Sequence, residues 1–141
     1  MVIGANDEIT PGVIKGFMEV WSKRTGSWSK LGSTIEGEYD TDSFGHEVSI
    51  SADGNTIAGS SKWNPGGWVP GSNTGDKIGH VRVYNLIAGD WVQKENDIDG
   101  ESFSTVTQRF GEGVFLSPDG KRVVVLHDES GGVHTYIDSS Q

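Results

Sequence analysis

Aspartate residues followed by glycine are the first candidates for chemistry in this chain, because carboxylates in glycine-rich turns are typical calcium ligands. The pairs Asp53-Gly54 and Asp119-Gly120 each stand between two apolar runs. Calcium takes about six to eight oxygen ligands, which the single carboxylate of each pair cannot supply. Both pairs are therefore predicted to be turns of β-hairpins, a position that aspartate followed by glycine favours.

An acidic run from Glu95 to Glu101 imitates the start of an EF-hand calcium loop. The imitation fails at its far end, because Val106 stands where the bidentate glutamate should be. A similar segment, Thr34 to Glu38, occurs 63 residues earlier in the chain. This recurrence favours a repeated turn, and calcium binding by the run is kept as an alternative.

Histidine, serine and cysteine form no catalytic or metal-binding pattern. The four histidines have no short spacing of the kind that zinc sites use, and no Gly-x-Ser-x-Gly segment presents a nucleophile. Cysteine is absent. Paired carboxylates would have to come from Glu47 and Glu112, which lie at equivalent places in two copies of a repeat described below. We therefore expect a protein that is not an enzyme and holds no cofactor.

The charge balance excludes two classes of partner. The net charge is −9 and the 11 basic residues are scattered along the chain, whereas phosphate binding requires clustered Lys and Arg. No apolar run approaches the roughly 18–20 residues that a membrane-spanning helix requires. We expect neither nucleic-acid binding nor membrane insertion.

An internal repeat positions all of these residues. One set of motifs returns after 63 residues and a second set after 66: Gly16 to Trp21, Trp28 and Gly37 return as Gly79 to Tyr84, Trp91 and Gly100, and Phe44-Gly45 and Ser51 to Gly54 return as Phe110-Gly111 and Ser117 to Gly120. Val and Ile number 24 against 4 Leu and 4 Ala, which favours strands over helices. A period of this size predicts a stack of repeated β units.

Each period contains four strand candidates, which predicts an all-β portion of a β-propeller built from four-stranded antiparallel blades. The predicted units are a partial blade over 1–43, a complete blade over 44–109 with a long insert at 61–78, and a partial blade over 110–141. Trp28 and Trp91 are expected to be buried between blades. About two and a half blades predict either a segment of a longer propeller or one chain of an assembly that completes the ring.

The segments Phe44 to Ser60 and Phe110 to Gly120 resemble the FG-GAP repeat of integrin-α-like β-propellers. The Phe-Gly pair precedes an Asp-Gly turn in both copies, and the Gly-Ala-Pro half is reduced to Gly4-Ala5-Asn6 and Gly59-Ser60-Ser61. The resemblance implies an adhesion or scaffolding propeller in an extracellular or luminal compartment. The calcium loop of many such repeats is shortened here to the Asp-Gly turn.

The candidate binding site lies on the loops that share one face of such a propeller. The long insert carries Trp63, Asn64 and Trp68, and two other loops on that face supply Asp40, Asp42 and Arg109. Tryptophans in a polar loop serve as anchors for a partner or as stacking faces for sugars. The alternative is an Ω-loop in which both tryptophans fold the insert onto itself.

These patterns predict a non-enzymatic interaction, adhesion or scaffolding module that binds a protein partner, or further blades of the same propeller, through its loop face. Two alternatives remain. A peripheral structural subunit of a large assembly would present a flat apolar blade side. A glycan- or calcium-dependent binding module would expose Trp63 or Trp68 beside carboxylates.

Overall fold

The computed structural model describes residues 1–5, 15–23, 26–40, 42–64, 78–100, 109–127 and 132–137. Within these ranges the chain is all-β and contains no helix, as predicted, and therefore no helix that could span a membrane. The strands are β1 (Val2–Ala5), β2 (Phe17–Ser22), β3 (Ser29–Lys30), β4 (Ile35–Glu36), β5 (Val48–Ile50), β6 (Thr56–Ser61), β7 (His80–Ile87), β8 (Asp90–Gln93), β9 (Ile98–Asp99), β10 (Gly113–Leu116), β11 (Arg122–Leu126) and β12 (Val133–Ile137).

The strands form three antiparallel sheets that follow one another along the chain. Sheet 1 has the order β1-β2-β3, with β4 also paired to β2. Sheet 2 has the order β5-β6-β7-β8, with β9 also paired to β7, and sheet 3 has the order β10-β11-β12. Each sheet is a meander in which neighbours in sequence are neighbours in space. The predicted unit boundaries at 43/44 and 109/110 stay predictions.

The predicted Asp-Gly hairpins are confirmed at both positions. Between β5 and β6, Asp53 Oδ1 accepts hydrogen bonds from the Ser51 hydroxyl at 2.6 Å and from the Asn55 amide at 3.0 Å. Gly54 has a φ of 73°, a value that favours glycine. The turn between β10 and β11 repeats this pattern through Asp119, which accepts from Ser117 at 2.5 Å and from the Lys121 amide at 3.1 Å.

The repeat extends to the hydrogen bonds that join the sheets. Three backbone bonds in the first copy have counterparts in the second at nearly the same distances: Gly37 N to Gly16 O (3.1 Å) and Gly100 N to Gly79 O (3.0 Å), Phe44 N to Lys15 O (3.0 Å) and Phe110 N to Ile78 O (2.8 Å), Leu31 N to Val20 O and Lys94 N to Val83 O (both 2.8 Å). The acidic segments recur as well, but as the short strands β4 and β9 and not as turns.

Apolar side chains fill the space on both sides of sheet 2. Alternation along β6 turns Ile57 toward sheet 1 and Ala58 toward sheet 3. Between sheets 1 and 2 the buried residues are Met18, Val20, Phe44, Ile57, Tyr84 and Trp91. Between sheets 2 and 3 they are Ala58, Val81, Phe110, Val114, Val123 and Val125. Sheet 2 is therefore covered on both faces, as in a stack of repeats.

The prediction that both repeat-equivalent tryptophans are buried is right for Trp91 and wrong for Trp28. Trp91 is 8% exposed, and its indole N–H donates to the Leu31 carbonyl at 2.8 Å. Trp28 is 52% exposed. Both precede the same register position, since Lys30 pairs with Trp21 as Gln93 pairs with Tyr84. The difference arises because Trp91 faces sheet 1, whereas Trp28 lies on the outer face of sheet 1.

Replacement of Trp91 by alanine is expected to lower the free energy of unfolding by about 3–5 kcal/mol, the usual cost of truncating a buried aromatic residue. Trp28→Ala is the matched control and is expected to change it by no more than about 0.5 kcal/mol. Urea unfolding in dilute solution measures both. Equal losses for the two variants would contradict this account of their packing.

Candidate functional site

Asp42 and Asn64, two of the predicted site residues, meet in a buried contact between sheets 1 and 2. The Asn64 side-chain amide donates to Asp42 Oδ1 at 2.7 Å. Asp42 Oδ2 accepts from the backbone amides of Glu38 at 2.6 Å and Tyr39 at 3.2 Å. Both Asp42 and Asn64 are buried, and the Asn64 carbonyl accepts from Gly79 N at 3.0 Å. This pair fixes the loop before sheet 2 and is not available to a partner.

Trp63 and Arg109, two further predicted residues, also lie together. The Arg109 guanidinium is 5.1 Å from the centroid of a Trp63 ring, and Lys62 Nζ is 5.5 Å from a Trp63 ring centroid, within the range of cation–π attraction. Trp63 is half-buried. The indole is thus held by cations from two segments, one directly after β6 and one before β10.

Glu112 connects this tryptophan to His46. Lys62 Nζ lies 3.3 Å from a Glu112 carboxylate oxygen, and His46 Nε2 lies 3.9 Å from the other. Burial, followed by the Lys62 charge, holds the pKa of His46 below its ordinary value, so the imidazole is neutral at pH 7. Glu112 is therefore paired with Lys62. We call His46, Lys62, Trp63, Arg109 and Glu112 the loop-face cluster.

Two predicted residues do not join these contacts. Asp40 is exposed, and no hydrogen bond or ion pair connects its side chain to the other site residues within the described ranges. Trp68, with most of the predicted insert, lies outside the described residues. Glu47 and Glu112 do not form a carboxylate pair in the described part of the chain, where the ionic contacts of Glu112 are with Lys62 and His46.

A second polar cluster, which sequence reasoning missed, lies at the start of β7. His80 is buried, and its Nδ1 is 3.3 Å from Asp97 Oδ2. Arg82 is buried beside it, with its guanidinium 4.4 Å from the centroid of the Phe44 ring. Burial, and then the positive charge of Arg82, lower the pKa of His80 to about 4. Burial also raises the pKa of Tyr84.

The repeat itself contained the signal for this second cluster. At a spacing of 63 residues, His80 stands where the first copy has Phe17, and Arg82 stands where it has Glu19. Polar or oppositely charged residues that replace their equivalents in a packed repeat indicate a local role. The four histidines were instead compared only with one another.

Glu38, His80 and Asp97 each present one ligand atom, and these atoms lie within 4.8 Å of one another. The described residues supply three ligands here, fewer than the four of a structural zinc site or the six to eight of calcium. The buried Arg82 guanidinium also opposes a cation at this place. The chemistry that the geometry supports is proton binding by a buried imidazole.

The depressed pKa of His80 makes folding sensitive to acid. As the pH falls below 6.5, the unfolded chain takes up this proton before the folded chain does. The free energy of unfolding is therefore fully present above pH 6.5, and the His80 contribution is lost progressively down to about pH 4. The carboxylates with lowered pKa values, such as Asp53, act only at more acidic pH.

Between pH 7 and pH 5 the wild-type chain is expected to lose roughly 2 kcal/mol of unfolding free energy through His80. His80→Gln should lose correspondingly less over this interval. Asp97→Asn should retain or extend the loss, because the Asp97 charge raises the pKa of His80. Urea unfolding at several pH values measures the three slopes. A His80→Gln variant with the full wild-type slope would contradict the assignment.

Calcium is expected to leave the melting temperature unchanged. The carboxylates of both Asp-Gly turns already accept hydrogen bonds from a serine hydroxyl and a backbone amide. Thermal unfolding with chelator and with millimolar calcium measures the effect. Because a ligand that binds the folded state stabilises it, a rise of several degrees with calcium would show that this expectation is wrong.

Comparison with known proteins assigns no family. No protein-family model matches the chain, and no curated protein matches it. The resemblance to FG-GAP repeats therefore remains a hypothesis based on the motifs at residues 44–60 and 110–120.

Proposed function

We propose that this chain is a non-enzymatic interaction module, a portion of a β-propeller that binds a protein partner through the loop-face cluster. The observation that carries the proposal is the assembly of this cluster from three separate segments around Trp63. Residues 46, 62–63 and 109–112 converge there, and each segment adjoins a strand of sheet 2 or sheet 3.

The propeller part of the proposal is supported by the order and packing of the sheets. Three meanders follow one another, and each packs against the next across an apolar layer. The bonds that join sheet 1 to sheet 2 recur between sheets 2 and 3. Stacked blades of a propeller have this arrangement, in which every blade contacts only its neighbours.

The composition of the loop-face cluster suits protein recognition. Tryptophan and arginine dominate the residues that contribute most to binding energy at protein interfaces. Side chains held in place before binding lose less conformational entropy in the complex. Lys62 and Arg109 exceed Glu112 in charge, so the cluster is locally cationic on a chain of net charge −9. A partner that offers a carboxylate beside an apolar surface fits this chemistry.

The catalytic alternative has little support in the described part of the chain. A histidine and a carboxylate meet at His80 and Asp97, but the imidazole is buried and has no access to a substrate. The glycan alternative requires an open tryptophan face beside carboxylates. Trp63 is instead half-buried with two cations near its rings.

The structural-subunit alternative is favoured by a different observation. The outer faces of sheets 1 and 3 expose large apolar side chains, including Trp28, Phe115 and Ile137. Monomeric soluble proteins rarely expose wide contiguous apolar patches. A scaffold that joins other β-sheets through these faces would use them without the loop-face cluster.

Trp63→Ala and Arg109→Ala are each expected to weaken partner binding at least tenfold, because truncation of an interface anchor typically costs about 2 kcal/mol or more. Immobilised wild-type protein is used to capture partners from a native extract, and the affinity of each purified partner is then measured by titration calorimetry. Ile87→Ala, an exposed apolar residue at the end of β7, is the matched control.

The proposal predicts a partner that binds wild-type protein and Ile87→Ala equally and the two loop-face variants weakly. Circular dichroism verifies that all variants are folded. Partners that bind the loop-face variants with wild-type affinity would overturn the loop face as the contact surface.

A further inference from the structure

Inside the chain, each sheet presents two different faces to its neighbours. Met18 and Val20 form part of the face that sheet 1 turns forward to sheet 2, where they meet Ile57. Sheet 2 turns Val81 forward to sheet 3, where it meets Val123. Val81 follows Met18 by one 63-residue period. A forward face therefore always packs on a backward face.

Sheet 3 presents a forward face that no described residue covers. Phe115 is 55% exposed, Val133 61% and Ile137 65%. The register makes these residues contiguous with Val124, opposite Phe115, and with Leu126, opposite Val133. The six positions of this face carry no charged side chain: Phe115, Val124, Leu126, Val133, Thr135 and Ile137.

The register identifies this surface as the equivalent of an interface already formed twice in the chain. Val133 pairs with Leu126 as Val81 pairs with Ser60. The Leu126 carbonyl accepts two consecutive backbone amides, those of residues 111 and 112, and the Ser60 carbonyl accepts those of residues 45 and 46. Val133 thus occupies the position of Val81 and Met18, which are both 0% exposed.

Sheet 1 presents the matching backward face, likewise uncovered by the described residues. Trp28 occupies the position of Trp91, which packs on the preceding sheet. Met1 and Ile3 are exposed on the same side. Glu19 also lies on this face, but it is neutralised within the sheet by Lys30 at 3.3 Å and accepts the Trp21 indole N–H at 3.1 Å.

We propose that a second copy of this chain covers these faces head to tail, with sheet 3 of one copy packed on sheet 1 of the next. The occupant is argued from continuity with the two interfaces inside the chain, because each open face is one half of that repeated contact. Two forward faces do not complement each other, which excludes a symmetric pairing of sheet 3 with sheet 3. Such a contact is heterologous and produces a ring where the rotation closes. The inference does not depend on the loop-face cluster.

The test uses one charge substitution on each face, at positions that are already exposed in a single chain. Trp28→Glu blocks the backward face and Val133→Glu blocks the forward face. Every head-to-tail contact requires one face of each kind, so each variant is expected to be monomeric, with a mass near 15.2 kDa. A mixture of the two variants retains one intact contact and should form a one-to-one pair of about twice that mass.

Size-exclusion chromatography with light scattering measures these masses for the wild type, each variant and the mixture. The wild type is expected to exceed the mass of one chain, and Ile87→Glu, which lies on neither face, should match it. Circular dichroism and a cooperative unfolding transition verify the folding of each variant. Ile137→Glu replaces Val133→Glu if the latter does not fold.

Three results would each overturn the proposal. A monomeric wild type would mean that something other than a second copy covers the two faces. Self-association by Trp28→Glu or Val133→Glu in isolation would indicate contact between like faces. A mixture that stays monomeric would mean that the two faces do not bind each other. The loss of partner binding on Trp63→Ala is a separate readout and is unaffected by any of these outcomes.

Discussion

The close backbone contact between Gly16 and the Phe44 segment, repeated between Gly79 and the Phe110 segment, is the constraint on which the stacking depends. A Cβ on either glycine would collide with the carbonyl oxygen of the phenylalanine, and φ is positive at both glycines, 70° and 78°. Glycine is therefore required twice over at this junction. The contact places each phenylalanine under the next sheet, where its ring becomes the centre of the apolar layer.

Because the two junctions have the same geometry, the position of a residue in the repeat determines which neighbour it would face. It does not determine whether that neighbour is present. Trp91 and Trp28 occupy one register position and differ in exposure from 8% to 52%, since only Trp91 has another sheet beneath it. The sheet pairing and the exposed surfaces of sheets 1 and 3 follow from the same rule.

The all-β fold, the repeat period and the Asp-Gly hairpins could be predicted because they depend on local patterns. Alternation of apolar residues and the turn preference of Asp-Gly act over a few residues. The contacts of Asp42 with Asn64 and of Trp63 with Arg109 could be anticipated only as a shared face. The His80–Asp97 contact was not predicted, because it depends on which strand ends meet and on a substitution within the repeat.

The polar clusters show where the two copies have diverged. Buried polar side chains cost free energy unless they are paired, and His80 Nε2 and two of the Arg82 nitrogens have no hydrogen-bond partner among the described residues. Phe17, in the position of His80, carries no such cost. A repeat optimised only for stacking would keep an apolar residue at both positions. The retention of His80 and Arg82 beside the loop that holds Asp42 therefore indicates a local requirement at the junction of sheets 1 and 2, distinct from the apolar contacts that hold the stack together.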